Sequence, residues 1–321
     1  MKITYKTSIL LSSAIAVLML YSCSKSEKVS PVANDQEQSS LPSTADGKHV
    51  YGLQPTNPAE YSTLPVYSPD LFKKQFGSFA TGNPVVVTLS NPAVRDQGQI
   101  GSCTSFCGVE AYEIGYYYKN GAYPTLLSPA FIYYEERVNI QHQRISADNG
   151  ANMVNIGQAL QKYGDCLESL YAYPSSDRST AYRTPPSSAA VSNALGYKVT
   201  GYTMVNSGDT AAVKTLLRNN VPVMMGFNVY DKTSTYQYFE ALNTTSYTYN
   251  PLTSSGALIN GLSLLGGHAV PLIGYDDTRQ AFLVQNSWGT SWGNHGFFYL
   301  PYSVFMSTKI VPQGDCYYLT L

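Results

Sequence analysis

In the middle of the chain, apolar side chains recur about every three or four positions, which is the spacing of an amphipathic helix. The clearest run starts at Cys103, carries Phe106 and Val109, and stops at Asn120-Gly121, where glycine is a common helix terminator. Serine before proline at 128–129 is typical of an N-cap followed by a first-turn proline. The pattern predicts helices at 103–120, from Ser128-Pro129 through Tyr134, from Asn152 to Tyr163, and after the capping residue Asp209.

After Pro222 the chain changes to short runs of β-branched and aromatic residues bounded by Gly, Asp and Asn, which favours antiparallel strands. The predicted strands lie at 222–230, 268–276, 281–288 and 296–301. Helices first and strands second is typical of an α+β protein. We therefore expect a helical N-terminal half, an antiparallel β-sheet or barrel in the C-terminal half, and a cleft between them that suits a binding site.

The N-terminus has the pattern of a signal peptide. Lys2 and Lys6 accompany an apolar run from Ile9 to Leu20, which is too short to span a bilayer comfortably. The run ends in Tyr21-Ser22-Cys23, which resembles the lipobox of bacterial lipoproteins and predicts lipidation of Cys23. The alternative is a plain secretory signal with a chance cysteine, which would give a secreted protein. Otherwise the mature protein is lipid-anchored in the cell envelope, on the periplasmic or the cell-surface face.

Three further segments follow the predicted signal peptide of residues 1–23. Residues 24–48 lack apolar periodicity and are rich in Ser, Pro, Asp and Gln, which is typical of a flexible tether. Residues 49–84 contain one short helical candidate at 68–72 and form either an N-terminal arm or a short pro-segment. The folded domain occupies residues 85–321.

Composition narrows the possible partners. Lys+Arg 20 against Asp+Glu 21 gives a net charge of −1, so no bulk field would attract nucleic acid or an anionic membrane surface. No stretch after the signal peptide is apolar enough to span a membrane. No His, Cys, Asp or Glu residues have metal-ligand spacing, so we expect neither a metal nor another cofactor. We expect a monomer.

Four cysteines remain once Cys23 is set aside: Cys103, Cys107, Cys166 and Cys316. In an oxidising compartment an even number is compatible with two disulfides. If one of them is a reactive thiol, at most one bridge can form among the other three, and its pairing cannot be deduced from the sequence.

Cys103 is the first candidate for chemistry, because it opens a helix directly after a glycine-containing turn. The partial positive charge of a helix N-terminus favours a thiolate, which is the nucleophilic form of cysteine. The alternative is a buried structural cysteine.

Among the four histidines, His268 is the candidate base, since it heads an apolar strand after Gly266-Gly267. The alternative there is a core histidine without a catalytic role. His49 lies in the low-complexity arm, whereas His142 and His295 lie in polar stretches where we expect solvated side chains.

Asn286 is the candidate that would orient the imidazole of His268. It ends the next predicted strand, 286 − 268 = 18 residues later, and a turn at 275–277 could bring the two strands side by side. An amide orients the ring without adding a charge, so an imidazolium–thiolate pair would remain intact. Trp288, two residues later, could shield this pair from water.

The order of these residues resembles that of the papain-like cysteine peptidases, from about residue 85 to the end of the chain. Gln97 stands 103 − 97 = 6 residues before Cys103, and the nucleophile, base and orienting amide follow in the order Cys, His, Asn. The resemblance extends to Leu127-Ser128-Pro129, Asp148-Asn149-Gly150, Glu168, Tyr173-Pro174, Asn286-Ser287-Trp288-Gly289 and Ser291-Trp292-Gly293.

The resemblance implies a papain-like fold of two subdomains and a cysteine peptidase that acts on peptide or protein substrates, with endopeptidase action expected. Cys103 would attack the scissile carbonyl and His268 would protonate the leaving amine, with Gln97 in the oxyanion hole. The residues implied in contact with the substrate backbone are Asn149, Gly150 and Gly267.

The chain also departs from the family pattern. Ile100 stands where the family usually has a second cysteine, bridged to one near the Gly150 loop, and Thr104 replaces the usual tryptophan. The interval from Cys103 to His268 is 268 − 103 = 165 residues, which is longer than the family's roughly 130–150. An insertion at 231–262 accounts for the difference and could cover the primed side of the cleft. Two alternatives remain open: a lipid-anchored papain-fold protein that binds peptides without turnover, and an aminopeptidase or transpeptidase.

Overall fold

The computed structural model describes residues 49–80, 82–174 and 183–321. The predicted signal peptide at 1–23, with its lipidation site Cys23, and the predicted tether at 24–48 lie outside the described residues. Within the described part, no helix combines the length and the apolar character needed to cross a membrane.

The N-terminal half of the described chain is mainly helical. The central helix begins at Cys103 and is buried along its first three turns, because helices pack on one side of it and the sheet on the other. The helices are α1 (Pro58–Tyr61), α2 (Pro69–Phe76), α3 (Cys103–Asn120), α4 (Pro129–Tyr134), α5 (Met153–Lys162), α6 (Ser188–Ala194), α7 (Thr210–Arg218) and α8 (Tyr302–Phe305).

The C-terminal half is built on an antiparallel sheet. Its strands are β1 (Val86–Thr88), β2 (Gly201–Met204), β3 (Val223–Asp231), β4 (Ser263–Asp276), β5 (Ala281–Gln285), β6 (Phe297–Pro301) and β7 (Cys316–Thr320). Their order is β2-β7-β3-β4-β5-β6, and β1 pairs with β4. The long strand β4 lies near the middle of the sheet and carries His268, whose register partner on β3 is Phe227.

The predicted α+β class and the four predicted helices are confirmed. Ser128, Asn152 and Asp209 each accept a hydrogen bond from a first-turn backbone N–H, as expected of N-caps. The second helix differs in one respect, because it continues as a π-helical turn over Glu135–Ile140. The four predicted strands are confirmed as β3 to β6, although β4 begins five residues before His268. The sequence patterns missed β1, β2 and β7, which are short or lie far along the chain from the strands they pair with.

The molecule has two hydrophobic cores, and Cys103 belongs to the first of them. One is formed mainly by α3, α4 and α5, and the other by β3 to β6 together with α7 and α8. Gly108 allows α3 and α5 to approach closely, since a Cβ there would lie 2.3 Å from the Cγ2 atom of Ile156. The four cysteines Cys103, Cys107, Cys166 and Cys316 are all free and buried, so none of the possible bridges among them is present.

Candidate active site

Cys103 lies at the N-terminus of α3, where a constrained turn delivers the chain into the helix. The carboxylate of Asp96 accepts a hydrogen bond of 2.8 Å from Gly98 N, and Gly98 has a left-handed φ of 57° that glycine adopts without strain. Cys103 is fully buried. The first-turn N–H groups and the dipole of α3 favour negative charge at this position, as the sequence predicted.

His268 and Asn286 come together across the paired strands β4 and β5. The distance from His268 Nε2 to Asn286 Oδ1 is 2.7 Å. The same Oδ1 accepts a 2.9 Å hydrogen bond from Ser287 N, so this atom is the amide oxygen and the imidazole donates to it through Nε2–H. In a neutral ring Nδ1 is then the acceptor nitrogen, and Nδ1 is buried without a hydrogen-bond partner. The ring therefore has the tautomer that a general base requires.

The Cys103 sulfur lies beside the same strand. It makes a backbone hydrogen bond with Ala269, the residue that follows His268, and a second one with Gly52. The N-terminus of α3 and the start of the central part of β4 thus meet at the nucleophile. Cys103, His268 and Asn286 are fully buried, so the three groups lie in one protected site between the helical and sheet halves.

Gln97 is held in a single orientation beside these residues. Its Oε1 accepts a 2.7 Å hydrogen bond from the hydroxyl of Ser287, which leaves the Nε2 donors for the cleft. Nε2 donates to the carbonyl oxygens of Ile100 at 3.0 Å and of Val50 at 3.3 Å. A fixed N–H donor of this kind can stabilise an oxyanion.

Hydrogen bonds connect the turn before α3 with the opposite wall, where the resemblance implied that a disulfide is missing. Asp148 accepts from Gly101 N at 3.1 Å and also from the hydroxyl of Tyr133. Tyr133 in turn accepts a 3.1 Å hydrogen bond from Gly150 N. Burial raises the pKa of Asp148, while its hydrogen bond with Tyr133 acts in the opposite direction.

Thr104, at the position of the family tryptophan, donates a 2.8 Å hydrogen bond to Glu136 Oε2. Both residues are fully buried, and burial raises the pKa of Glu136 to about 8. The substitution therefore replaces an apolar contact beside the nucleophile with a polar one.

A segment of the same chain occupies the cleft. We call residues 49–56 the cleft arm. Its backbone pairs with both walls: Leu53 N donates to Gly267 O at 3.0 Å, Gln54 N donates to Ala151 O at 2.8 Å, and Ala151 N donates to Gly52 O at 3.1 Å. The pairing at Leu53 is parallel with Ala151 and antiparallel with Gly267. The cleft can therefore hold an extended polypeptide by β-augmentation from both sides.

Two side chains, those of Leu53 and Thr56, anchor the C-terminal end of the cleft arm. The side chain of Leu53 is in close contact with the region around Gly226, where a Cβ would lie 2.8 Å from Leu53 Cδ2, 2.9 Å from Met153 Cγ and 3.1 Å from Asp315 Cβ. Thr56 donates a 2.6 Å hydrogen bond from its hydroxyl to Asp315 Oδ1. Leu53 thus fills a pocket with one buried carboxyl group at its side.

At its N-terminal end the cleft arm contacts Trp288 and the insertion at 231–262. The His49 ring stacks on Trp288 with 3.7 Å between centroids and an interplanar angle of 3°. His49 Nδ1 lies 2.9 Å from Glu240 Oε2, and the Tyr51 hydroxyl donates to Glu240 Oε1 at 2.6 Å. The insertion therefore reaches the Trp288 side of the nucleophile.

Burial shifts the pKa values of both His268 and Cys103. It lowers the pKa of His268 to about 4, against the opposing effect of the Asn286 hydrogen bond. It also raises the pKa of the Cys103 thiol to about 12, although backbone hydrogen bonds from Ala269 and Gly52 oppose the shift. With the arm in place, the pair is a neutral thiol and a neutral imidazole across the physiological pH range.

The structure brings the sequence-predicted residues Gln97, Cys103, His268, Asn286 and Trp288 to one site. The predicted substrate contacts also line it: Asn149 O accepts from the Gln54 side chain, Gly267 O accepts from Leu53 N, and a Cβ on Gly150 would lie 1.7 Å from Gly52 O.

His142 and His295 are exposed, as expected. Among residues 49–80, 82–174 and 183–321 no cluster of His, Cys, Asp or Glu side chains could hold a metal ion.

Sequence reasoning missed Ala151 and Glu240. It assigned residues 49–84 to an N-terminal arm or short pro-segment, but it did not identify His49 to Leu53 as the part that enters the cleft. The only available signal for the arm was the short β-prone run His49-Val50-Tyr51-Gly52-Leu53, which ends the polar tract. Nothing in the local pattern around Glu240 distinguishes it from a solvated loop residue.

Comparison with known proteins gives consistent similarities. The model of the papain family cysteine proteases matches residues 88–311. An uncharacterised peptidase C1-like protein of Acanthamoeba polyphaga mimivirus is 30% identical over 231 residues, which covers 68% of this chain and 67% of that protein. Digestive cysteine proteinase 1 of Homarus americanus is 28% identical over 219 residues, covering 64% of this chain and 56% of the proteinase.

Among solved structures, xylellain, a cysteine protease from Xylella fastidiosa, superposes with a TM-score of 0.68 at 27% identity, covering 84% of this chain and 95% of xylellain. The matches to the viral and lobster proteins span between about half and two thirds of the length of those relatives.

Proposed function

Because this chain belongs to the papain family of cysteine proteases and is a cysteine peptidase, we propose that it cleaves internal peptide bonds with Cys103 as nucleophile and His268 as base and acid. The observation that carries the proposal is the hydrogen bond from His268 Nε2 to Asn286 Oδ1 at 2.7 Å, which leaves Nδ1 as the acceptor nitrogen of the ring. The same observation assigns Asn286 the task of orienting the ring.

The reaction proceeds in two steps. Nδ1 of His268 accepts the thiol proton, and the Cys103 thiolate attacks the scissile carbonyl carbon. The resulting oxyanion accepts hydrogen bonds from Gln97 Nε2 and Cys103 N, and each such donor contributes roughly 3 kcal/mol to lowering the barrier. The imidazolium then gives its proton to the leaving amine as the C–N bond breaks. Water, deprotonated by His268, attacks the thioester and releases the acid and the free thiol.

The path of the cleft arm supports cleavage in the interior of a polypeptide. Three residues, His49 to Tyr51, precede Gly52 on the Trp288 side of the nucleophile, and the chain continues without a break past Leu53 on the other side. A cleft that holds chain on both sides of Cys103 has room for an internal peptide bond. No observation favours the aminopeptidase, transpeptidase or non-hydrolytic alternatives.

The proposal is tested with a peptidyl epoxide that alkylates catalytic cysteines and with quenched peptides blocked at both ends. We expect one epoxide adduct and internal cleavage for the wild-type chain, or for Gly52→Ala if the arm slows access. Cys103→Ala and His268→Ala should lose both signals. Wild-type turnover in Cys103→Ala, or neither adduct nor cleavage in any chain, would reject the mechanism.

We further propose that the cleft arm is an intrinsic inhibitor of this peptidase. It covers Cys103 and His268 completely, and its Val50 carbonyl takes the Gln97 donor needed for the oxyanion. By desolvating the thiol and the imidazole it also disfavours the ion pair. Hydrolysis therefore requires that residues 49–56 leave the cleft, which gives the segment at 49–84 the role of a short pro-segment.

Gly52→Ala tests this role, because a Cβ at Gly52 would lie 1.9 Å from the carbonyl oxygen of Gly101. The clash should weaken docking of the arm by about 1–3 kcal/mol and accelerate epoxide labelling of Cys103 by roughly 5- to 100-fold. The matched control is Gly201→Ala, since a Cβ at Gly201 would meet no atom within 4 Å and should leave the labelling rate unchanged. Equal rates for Gly52→Ala and wild type would contradict the inhibitory role.

We also propose that the protein is lipid-anchored in the cell envelope through Cys23, on the basis of the lipobox-like sequence alone. Partitioning of the wild-type chain into a detergent phase, lost in Cys23→Ser, would support this location, whereas equal partitioning of the two would refute it.

A further inference from the structure

The carboxylate of Glu240 lies at the end of the cleft where Trp288 forms one wall. Only 1% of its side chain is exposed, and within the described part of the chain its two oxygens are bound by two residues of the cleft arm, His49 and Tyr51. When the arm leaves, this carboxylate loses both partners while its own backbone stays fixed. Glu240 N and Phe239 N donate to Asp231 Oδ2, at 3.1 and 2.8 Å. Release of the arm frees both carboxylate oxygens, so the open cleft presents an anionic site at which a hydrogen-bond donor, and above all a cation, replaces His49 and Tyr51.

Trp288 supplies the second half of this site. The indole face that stacks on His49 becomes free when the arm leaves, and a flat indole next to a carboxylate suits a planar or extended cationic side chain. Asp231 adds a second negative charge from the start of the same insertion, and Lys232 is the cationic side chain next to it in sequence, placed 5.9 Å from the ring of Tyr238.

The role of His268 as proton donor shows on which side of the scissile bond the Glu240 site lies. His268 gives its proton to the leaving amine, so the part of the substrate that follows the scissile bond must start next to the His268 ring. The Trp288 ring lies 5.0 Å from that ring, whereas the Leu53 pocket lies on the other side of Gly52. The Glu240 site is thus on the leaving-group side.

We propose that Glu240 and Trp288 form a subsite for a cationic side chain on the leaving-group side, so that this peptidase prefers Arg or Lys directly after the scissile bond. The inference rests on the proposed function, and it assigns the insertion at 231–262 a role in specificity. His49 occupies the subsite in the arm-bound state, where its ring makes the contacts that a substrate side chain makes later.

The test is a competition between two peptides that differ only in having arginine or citrulline after the scissile bond. Citrulline has the shape of arginine without its charge. Both peptides are mixed with the full chain and their products are quantified by mass spectrometry. Glu240→Gln also changes the fraction of molecules in which the arm has left the cleft, because Glu240 binds the arm. That fraction affects the cleavage of both peptides equally, so it cancels in the ratio of their kcat/KM values. The Gly52→Ala chain is run in parallel.

In the wild-type chain we expect the arginine peptide to be cleaved about tenfold faster or more, the range of a charge-assisted hydrogen bond. In Glu240→Gln, which keeps the shape and removes the charge, the ratio should fall to about one. The matched control is Glu135→Gln, which neutralises another buried carboxylate, bound by Asn139 at 2.6 Å, and should keep the wild-type ratio.

A ratio near one in the wild-type chain overturns the inference while the proposed function stands, because cleavage is then seen without charge selectivity. An undiminished ratio in Glu240→Gln overturns the assignment to Glu240. Absence of any cleavage in the wild-type and Gly52→Ala chains overturns both the inference and the proposed function.

Discussion

At the residue scale, the protonation of the site depends on a single amide oxygen. Asn286 Oδ1 accepts from both His268 Nε2 and Ser287 N, so a backbone N–H fixes the amide and the amide fixes the ring. A rotated amide would turn its NH2 group toward Ser287 N, where two donors would face each other. The unpaired Nδ1 of His268 is the consequence, and it is the group available to accept the thiol proton.

We predict that Asn286→Ala lowers kcat about 10- to 100-fold without abolishing activity, because truncating one partner of a buried hydrogen bond costs about 1–3 kcal/mol. The amide orients the ring but takes no part in bond making. Steady-state kinetics on a blocked peptide measures the effect, with Cys103→Ala as the inactive reference. A loss as complete as in Cys103→Ala would mean that Asn286 does more than orient the ring.

At the element scale, α3 is the helix on which the site depends. It presents Cys103 at its N-terminus and is fixed laterally by close contact with α5 at Gly108. Its interior glycines differ in what surrounds them. A Cβ at Gly108 would lie 2.3 Å from Ile156 Cγ2 in the core, whereas one at Gly115 would lie 3.0 Å from the side chain of Leu321, the last residue of the chain.

This difference predicts opposite results for the same substitution in one helix. Replacing glycine by alanine inside a helix gains up to about 1 kcal/mol of intrinsic helix stability. Gly115→Ala should keep that gain, since the side chain of Leu321 is only partly buried and can move aside. Gly108→Ala should instead lower the free energy of unfolding by about 1–3 kcal/mol, because the fully buried Ile156 has no space to move into. Thermal unfolding of the two variants decides the matter, and an equal or higher Tm for Gly108→Ala would refute the close packing.

At the scale of the whole molecule, the position of the arm is coupled to the proton on His268. With the arm docked, the pKa of His268 is about 4 instead of 6.5. Release of the arm removes the part of this burial that Tyr51 and its neighbours contribute, so the pKa of His268 rises toward its ordinary value. The docked state therefore has its full stability above pH 6.5 and loses stability progressively as the pH falls from 6.5 to 4. At the end of this range the loss is at most ~3 kcal/mol.

We predict that acid opens the cleft. Hydrogen exchange of the Leu53 and Gln54 amides, corrected for the intrinsic effect of pH, should speed up as the pH falls through this window. Amides between β4 and β5 serve as the internal reference. The arm residue His49 and the two carboxyl groups that contact the arm, Glu240 and Asp315, also lie at this interface, so His268→Gln is needed to isolate the part due to His268. If the hydrogen exchange of the Leu53 and Gln54 amides depends on pH in the same way in His268→Gln as in wild type, protonation of His268 does not drive release of the arm.

The sequence alone determined the parts of this protein that depend on neighbours in the chain. Helix caps at Ser128, Asn152 and Asp209 act within one turn, and the alternation of the later strands depends on immediate neighbours. Gln97, Cys103, His268 and Asn286 could be proposed as site residues because they lie in short sequence motifs that occur in the order of the papain-like peptidases. The short, regular turn between β4 and β5 then brings residues 18 positions apart into hydrogen-bond distance.

Only the tertiary structure decided what occupies the cleft and what closes it. His49 and Glu240 are 191 positions apart, and no local pattern marks either of them as a binding residue. Their contact exists because the arm adds a strand between two walls that come from opposite halves of the molecule. The same holds for the free thiols, since whether two cysteines can pair depends on the distance between their backbones, which spacing along the chain does not fix. Burial, which sets the charges of Cys103 and His268, is likewise a property of the assembled fold.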